Sequence, residues 1–299
     1  MRHANQSTIT TLGLLATLAV TAGFSRAQDA PAPTRDTAGE HELRLDADPR
    51  LRLTFTPYFW APSMTGDVTV LGVKSEVDVD FGDLFSNADA LYGFMGVLDA
   101  SYDRLIVQFN GAYAHVAEDN VGASVGPVSA SSDVNSNMTW IELAGGYRFL
   151  DRPLGDAQTP RSLRLDGLAG VRYTSMDVSA DTTATTTVTL PNGTVLTSNV
   201  ERSLDEQRDW FEPFVGARAA VDLSERWTMS LRGDVGGFGV DGSDFSWQTV
   251  AAFGYGFDLG EARARLVLGY RALGQDYSDG DFGWEVVSHG PLFGLQFNF

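Results

Sequence analysis

The segment Pro291-Leu-Phe-Gly-Leu-Gln-Phe-Asn-Phe299 decides how the rest of the chain is read. Phe293, Leu295, Phe297 and Phe299 alternate with Gly294, Gln296 and Asn298, so one face is wholly apolar and the other small or polar. A period of two is the period of a β-strand. An apolar stripe that runs to an aromatic last residue predicts a strand facing hydrocarbon. Hydrocarbon offers no partner to an open sheet edge, so such a strand belongs to a sheet closed on itself.

The same period runs back to Arg50. Leu51, Leu53, Phe55 and Phe59 share a face against Arg52, Thr54, Thr56, Tyr58 and Trp60. Leu91–Tyr102 and Leu105–Val116 form a predicted hairpin across Asp103-Arg104. Stripes follow at Thr139–Phe149, Leu163–Tyr173, Phe211–Val221, Trp227–Val235, Trp247–Phe257, Leu266–Ala272 and 286–299. That makes about ten strands. Eight or twelve are also compatible, because the connections 62–89 and 179–205 contain β-like runs. The first of these reads as a small hairpin around Gly72-Val73, the second as a hairpin turning at Pro191-Asn-Gly193, whereas 118–135 reads as a loop. Short connections alternate with longer, more acidic ones, as antiparallel up-and-down connectivity requires when one barrel end is trimmed. Closure then predicts that Arg50–Ala61 and Val286–Phe299 lie side by side.

Three observations place the apolar face outside. The stripes run roughly eight to ten residues without a charge, the height of a hydrocarbon band for tilted strands. Aromatic residues gather at both stripe ends: Tyr102, Tyr147, Phe149, Trp227, Phe257 and Phe299 by the short turns, and Tyr113, Tyr173 and Trp247 by the longer ones. The opposite face mixes Arg with Asp and Glu among glycines, a polar lumen. The fold class is therefore all-β, a transmembrane antiparallel up-and-down β-barrel over residues 49–299.

Composition agrees by exclusion. A formal charge of −18 argues against nucleic acid, whose phosphates need cations. Lys74 is the only lysine, and there is no cysteine, hence no disulfide, thiolate metal site, cysteine nucleophile or lipid-anchored cysteine. Residues 1–27 read as a secretory signal peptide: Arg2 and His3 at the start, an apolar run from Ile9 to Phe24, and Ser25-Arg-Ala27 before the cut. Residues 28–48, rich in Pro, Ala and charge, read as a flexible periplasmic leader.

The inward positions carry the candidate chemistry. Arg52, Trp60, Asp99, Trp140, Glu142, Arg172, Glu212, Arg218, Arg232, Asp234, Arg265 and Arg271 are expected to line the lumen. Glu142, Arg172 and Glu212 fall at similar depths on three successive strands, predicting a Glu–Arg–Glu ladder, since buried charges must pair. The ladder either fills a narrow lumen or belongs to an Arg-lined path favouring anions. About ten strands enclose a narrow or blocked bore, well short of a general porin. Tyr58, Trp60, Trp140, Trp210 and Phe214 are expected to cluster toward the loop end. No catalytic residue is assigned: His115 and His289 fall on strands well apart, and Ser288 points away from His289. Asp279, Asp281 and Glu285 offer hard oxygen ligands for calcium, but their spacing departs from a known calcium loop, and no metal or cofactor is assigned.

The Phe293, Leu295, Phe297 and Phe299 ending resembles the C-terminal signature of bacterial outer-membrane β-barrel proteins. Pro57-Tyr-Phe-Trp-Ala-Pro62 and His289-Gly-Pro-Leu-Phe-Gly294 are similar to stretches of small, largely uncharacterised members of that class. The resemblance implies Sec-type export, insertion by the barrel-assembly machinery reading the last strand, and residence in a Gram-negative outer membrane among lipid and lipopolysaccharide. It carries no known activity. A narrow solute channel, a closed structural or adhesive barrel acting through its acidic loops, and an outer-membrane hydrolase all remain open at this point.

Overall fold

The computed structural model describes residues 50–70, 72–125, 128–154, 161–189, 194–259 and 262–299. The signal peptide, the leader and the Pro191-Asn-Gly193 turn lie outside the described residues. Twelve strands form one antiparallel sheet. They are β1 (Leu51–Trp60), β2 (Ser63–Val70), β3 (Val73–Val79), β4 (Ala90–Tyr102), β5 (Leu105–Val125), β6 (Val128–Pro153), β7 (Ser162–Thr189), β8 (Val195–Asp222), β9 (Trp227–Val240), β10 (Ser243–Leu259), β11 (Ala262–Asp279) and β12 (Phe282–Asn298). A short helix, α1 (Phe81–Asn87), lies between β3 and β4.

Ten of the twelve strands, β1 and β4 through β12, close the ring, because β1 pairs with β12 as well as with β4. Thr54 stands opposite Asn298 and Trp60 opposite Leu292, so the expected closing pair is present. The additional two strands come from the connection 62–89. β2 continues β1 along β12 in unchanged register, from Ser63 opposite His289 to Thr69 opposite Gly283, after a break at Ala61-Pro62. β3 folds back on β2, and α1 returns the chain to the ring. Asp80 accepts the Gly82 amide at 3.0 Å and Ser63 Oγ accepts the Phe81 amide at 3.2 Å, fixing the helix start.

β1 meets β4 only from Leu51 to Pro57, opposite Tyr102 to Gly96. Above Pro57 the two strands part, and Phe81 of α1 packs on Phe59 at 5.9 Å beside the fork.

Two expectations about connections are corrected. Residues 118–135 are not a loop but the upper parts of β5 and β6, and β7 and β8 reach 28 residues each. These segments are polar and small, without the apolar stripe used to count strands; pairing to neighbours, not burial, makes them extended. The connections after β9 and β11 are also tight: Asp241 (φ 51°) and Gly242 (φ 79°) form one turn, whose left-handed backbone suits an Asp-Gly pair.

The outer face is apolar and bare. Phe94, Leu98, Phe109, Leu143, Val171, Val215, Leu231, Phe253, Leu268 and Phe293 are exposed, forming a continuous belt far larger than soluble surfaces tolerate. Tyr102, Tyr147, Phe149, Trp227 and Phe299 border it at the short-turn end, and Tyr92, Tyr113 and Tyr270 at the other. No helix among the described residues is long and apolar enough to cross a membrane; this barrel crosses with strands.

Candidate functional site

The lumen is organised in tiers. The central tier is built on Arg172 of β7, which is 0% exposed. Glu142 lies directly across on β6 and Glu212 directly across on β8, so strand register alone brings the ladder together. Arg172 donates from Nε to Glu142 at 2.9 Å, from Nη1 to Glu212 at 2.5 Å and from Nη2 to Asp234 of β9 at 2.7 Å. Arg232 Nη2 lies 3.0 Å from both Glu142 and Asp234, and Arg271 reaches Glu142 at 3.5 Å from the far wall. Three carboxylates thus meet three guanidinium groups, with no net charge. Gln248 of β10 donates to Glu142 at 3.2 Å and to Asp234 at 3.0 Å.

Above this tier, toward the long hairpins, the lumen is filled with apolar side chains. Trp60, Trp140, Trp210, Met95 and Met138 are all essentially buried there. Trp60 and Trp140 meet edge-on at 6.1 Å, while Trp210 stacks on Tyr277 at 4.2 Å. Aromatic rings also flank the ion cluster: Arg271 lies 4.5 Å from the Trp60 ring centroid, and Arg172 and Arg232 lie 5.2 and 5.5 Å from that of Phe214 on the short-turn side. Of the residues expected to cluster toward the loop end, Tyr58, Trp60, Trp140 and Trp210 share one apolar core, with Tyr58 also lining the lower cavity, whereas Phe214 lies outside that core, on the short-turn side of Glu212.

Below the central tier, Arg218 pairs with Asp99 at 3.0 Å and with Asp166 at 3.1 Å, and Arg148 joins Asp166 at 2.9 Å. These groups line a cavity of about 540 Å³ at the short-turn end, whose walls also include Arg52, Arg164, Arg265 and Arg271. Of the twelve candidate lumen residues, Glu142, Arg172, Glu212, Arg232, Asp234 and Arg271 come together at mid-height, Trp60 and Trp140 lie directly above them, and Asp99 with Arg218 just below. Arg52 and Arg265 lie apart from them, near the mouth.

Sequence reading missed the neutral polar partners Gln108, Asn110, Ser246 and Gln248. Asn110 accepts from Tyr58 at 3.0 Å, and Gln108 accepts from Arg232 at 2.9 Å. Their inward parity on β5 and β10 was legible, but an amide or hydroxyl carries no charge to demand a partner and so attracts no notice.

His115 and His289 both lie on the outer face. His115 Nδ1 lies 2.9 Å from Asn137, and His289 Nδ1 lies 2.7 Å from the Tyr270 hydroxyl. Both are parts of the upper aromatic border, next to Tyr92 and Tyr270. Among the described residues no three of His, Cys, Asp and Glu gather as a metal site; Asp276 and Glu285 face each other across two strands instead.

No protein-family model and no curated protein matches this chain. Among solved structures it is similar to the outer-membrane protease OmpT of Escherichia coli, at 8% identity, TM-score 0.32, over 84% of this chain and 98% of that one. It is also similar to the translocator domain of the autotransporter NalP from Neisseria meningitidis, at 12% identity, TM-score 0.28, covering 83% and 88%. A Pseudomonas aeruginosa FadL homologue is similar at 9% identity, TM-score 0.26, covering 84% and 90%. These likenesses are distant, and the fold and site rest on this chain's own ladders, burial and ion pairs.

Proposed function

We propose that the protein is an integral outer-membrane β-barrel with a closed lumen, which anchors its tall hairpins at the cell surface and does not conduct at rest. The neutral cluster around Arg172 carries this reading. Six paired charges sealed by tryptophans cross the bore from β6 to β11, and removing one partner would leave a buried charge unpaired, a cost of several kcal/mol. An ion path through this cross-section would have to break those pairs. Single-channel recording in a planar bilayer tests it: the inserted protein should be silent at moderate voltage, and steady, reproducible steps would overturn the reading.

The exposed belt with aromatic borders supports an outer-membrane location, among lipid and lipopolysaccharide, reached by Sec-type export and the barrel-assembly machinery. A hydrolase is disfavoured by the pairing of His115 with Asn137 and of His289 with Tyr270 on the outer face. A second reading, a narrow solute channel with an Arg-rich lumen, is favoured by the cavity at the short-turn end, and would require the Arg172 cluster to part during passage.

A further inference from the structure

The tiers differ in charge balance. Around Arg172 three arginines meet three carboxylates, and below them Arg148 and Arg218 meet Asp99 and Asp166. At the cavity mouth the balance fails. Asp222 of β8 is the carboxylate there, and its oxygens are already taken by Arg164 at 3.2 Å, Ser162 at 2.5 Å and Thr228 at 2.8 Å. Arg265 of β11 has no carboxylate partner among the described residues; its Nη1 donates to the neutral Gln296 at 2.7 Å and its Nε is buried without a partner. Asp222 is the strongest charged influence on Arg265, followed by the like charges of Arg164 and Arg263. Arg52, on the same cavity wall, forms no ion pair among the described residues. Arg263 is held by the exposed Asp258 at 3.8 Å.

Arg164 and Arg265 thus share Asp222, while Asp99 and Asp166 on the same wall are taken by Arg148 and Arg218, and Arg52 forms no ion pair among the described residues. Arg52 is exposed at the mouth, whereas Arg265 is half-buried with no direct ion pair, an arrangement that an anion would stabilise. The cavity, at about 540 Å³, has the size of small-molecule sites. Its wall is also partly apolar, through Val97, Ile106, Val250 and Val267. We propose that this vestibule binds a small organic anion, phosphate- or carboxylate-bearing, with its charged group among Arg52, Arg164 and Arg265 and its apolar body on the valine wall. Arginine forks suit such planar or tetrahedral oxyanions. The mouth lies at the short-turn end, so the ligand enters from the side of Asp103-Arg104 and 224–226, away from the tall hairpins. The site needs only the vestibule, and stands whether or not the Arg172 cluster opens.

Calorimetric titration of the folded barrel in uncharged detergent at low salt tests this with two probes, phenyl phosphate and a short-chain phosphatidic acid. Saturable binding of either supports the site; the tighter probe tells a free organic phosphate from a lipid headgroup. R265Q should weaken binding at least tenfold and the R52Q/R265Q pair should abolish it, while K74Q on the distant β3 hairpin leaves it unchanged. Heat-modifiable gel migration checks that each variant is folded. No saturation by either probe, or parental binding by folded R265Q, would overturn the proposal.

Discussion

Arg172 and Glu142 face each other across the β6–β7 ladder with Nε and Oε1 2.9 Å apart, both essentially sealed from solvent. Glu212 and Asp234 close on the same guanidinium from β8 and β9. Its removal separates a structural from a permissive role. Arg172→Met leaves three carboxylates against Arg232 and Arg271, and should cost about 3–5 kcal/mol of barrel stability. Urea unfolding followed by gel migration measures the loss. Bilayer recording of any folded fraction should show intermittent conductance where the parent is silent.

Restoring neutrality should rescue that loss. The double variant Arg172→Met with Glu212→Gln removes one charge of each sign. It should regain at least half of the stability lost by Arg172→Met alone, read as a coupling in a double-mutant cycle. Additive losses would contradict the balanced-cluster account.

Leu268 and Val267 are neighbours on β11 that face opposite ways. Leu268 stands opposite Phe293 on the lipid face, whereas Val267 lines the vestibule. Leu268→Arg should cost about 2–4 kcal/mol near the middle of the belt, and Val267→Arg clearly less. Folding yield and unfolding midpoints in lipid vesicles compare them. Equal penalties would mean that the faces are assigned the wrong way round.

Gly290 lies under the break between β1 and β2, where a β-carbon would collide with the Ala61 carbonyl oxygen. The contact is backbone against backbone, so no side chain can swing clear. Gly290→Ala should cost about 1–3 kcal/mol by forcing β12 from the β1–β2 line. Gly145, with open space around it, should accept alanine with little change. The difference between the two unfolding midpoints is the measurement.

Asp276, above the upper aromatic border, is held above the usual carboxylate range by burial, then by Glu285 and Asp244. A carboxyl whose folded value is raised weakens the fold as pH rises through its unfolded value, because ionisation is harder when folded. Asp276→Asn should therefore raise the unfolding midpoint modestly at neutral pH, with the gain vanishing near about pH 3, below the ordinary aspartate value. A gain that persists undiminished in acid would point to packing instead.

Strand periodicity is local, so the chain's own alternation already separates the residues that face lipid from those that face inward. The alternation of Phe293, Leu295 and Phe297 with Gly294 and Gln296 states a face without any partner in view. It also supplied the ten closing strands and the Glu142–Arg172–Glu212 ladder, since up-and-down neighbours in sequence are neighbours in the sheet. Other features depend on residues distant along the chain and emerge only when the barrel closes. Arg271 joins Glu142 across the bore, and Arg218 meets Asp99 on the far wall, which no spacing encodes. The upper halves of β5 through β8 carry polar residues whose strand state comes from cross-strand pairing rather than from burial, so their pattern was silent. The continuation of β1 into β2 beyond Pro62 is set by β12, which holds both in one register. That Asp222 of β8 acts on Arg265 of β11 also follows from the closed ring.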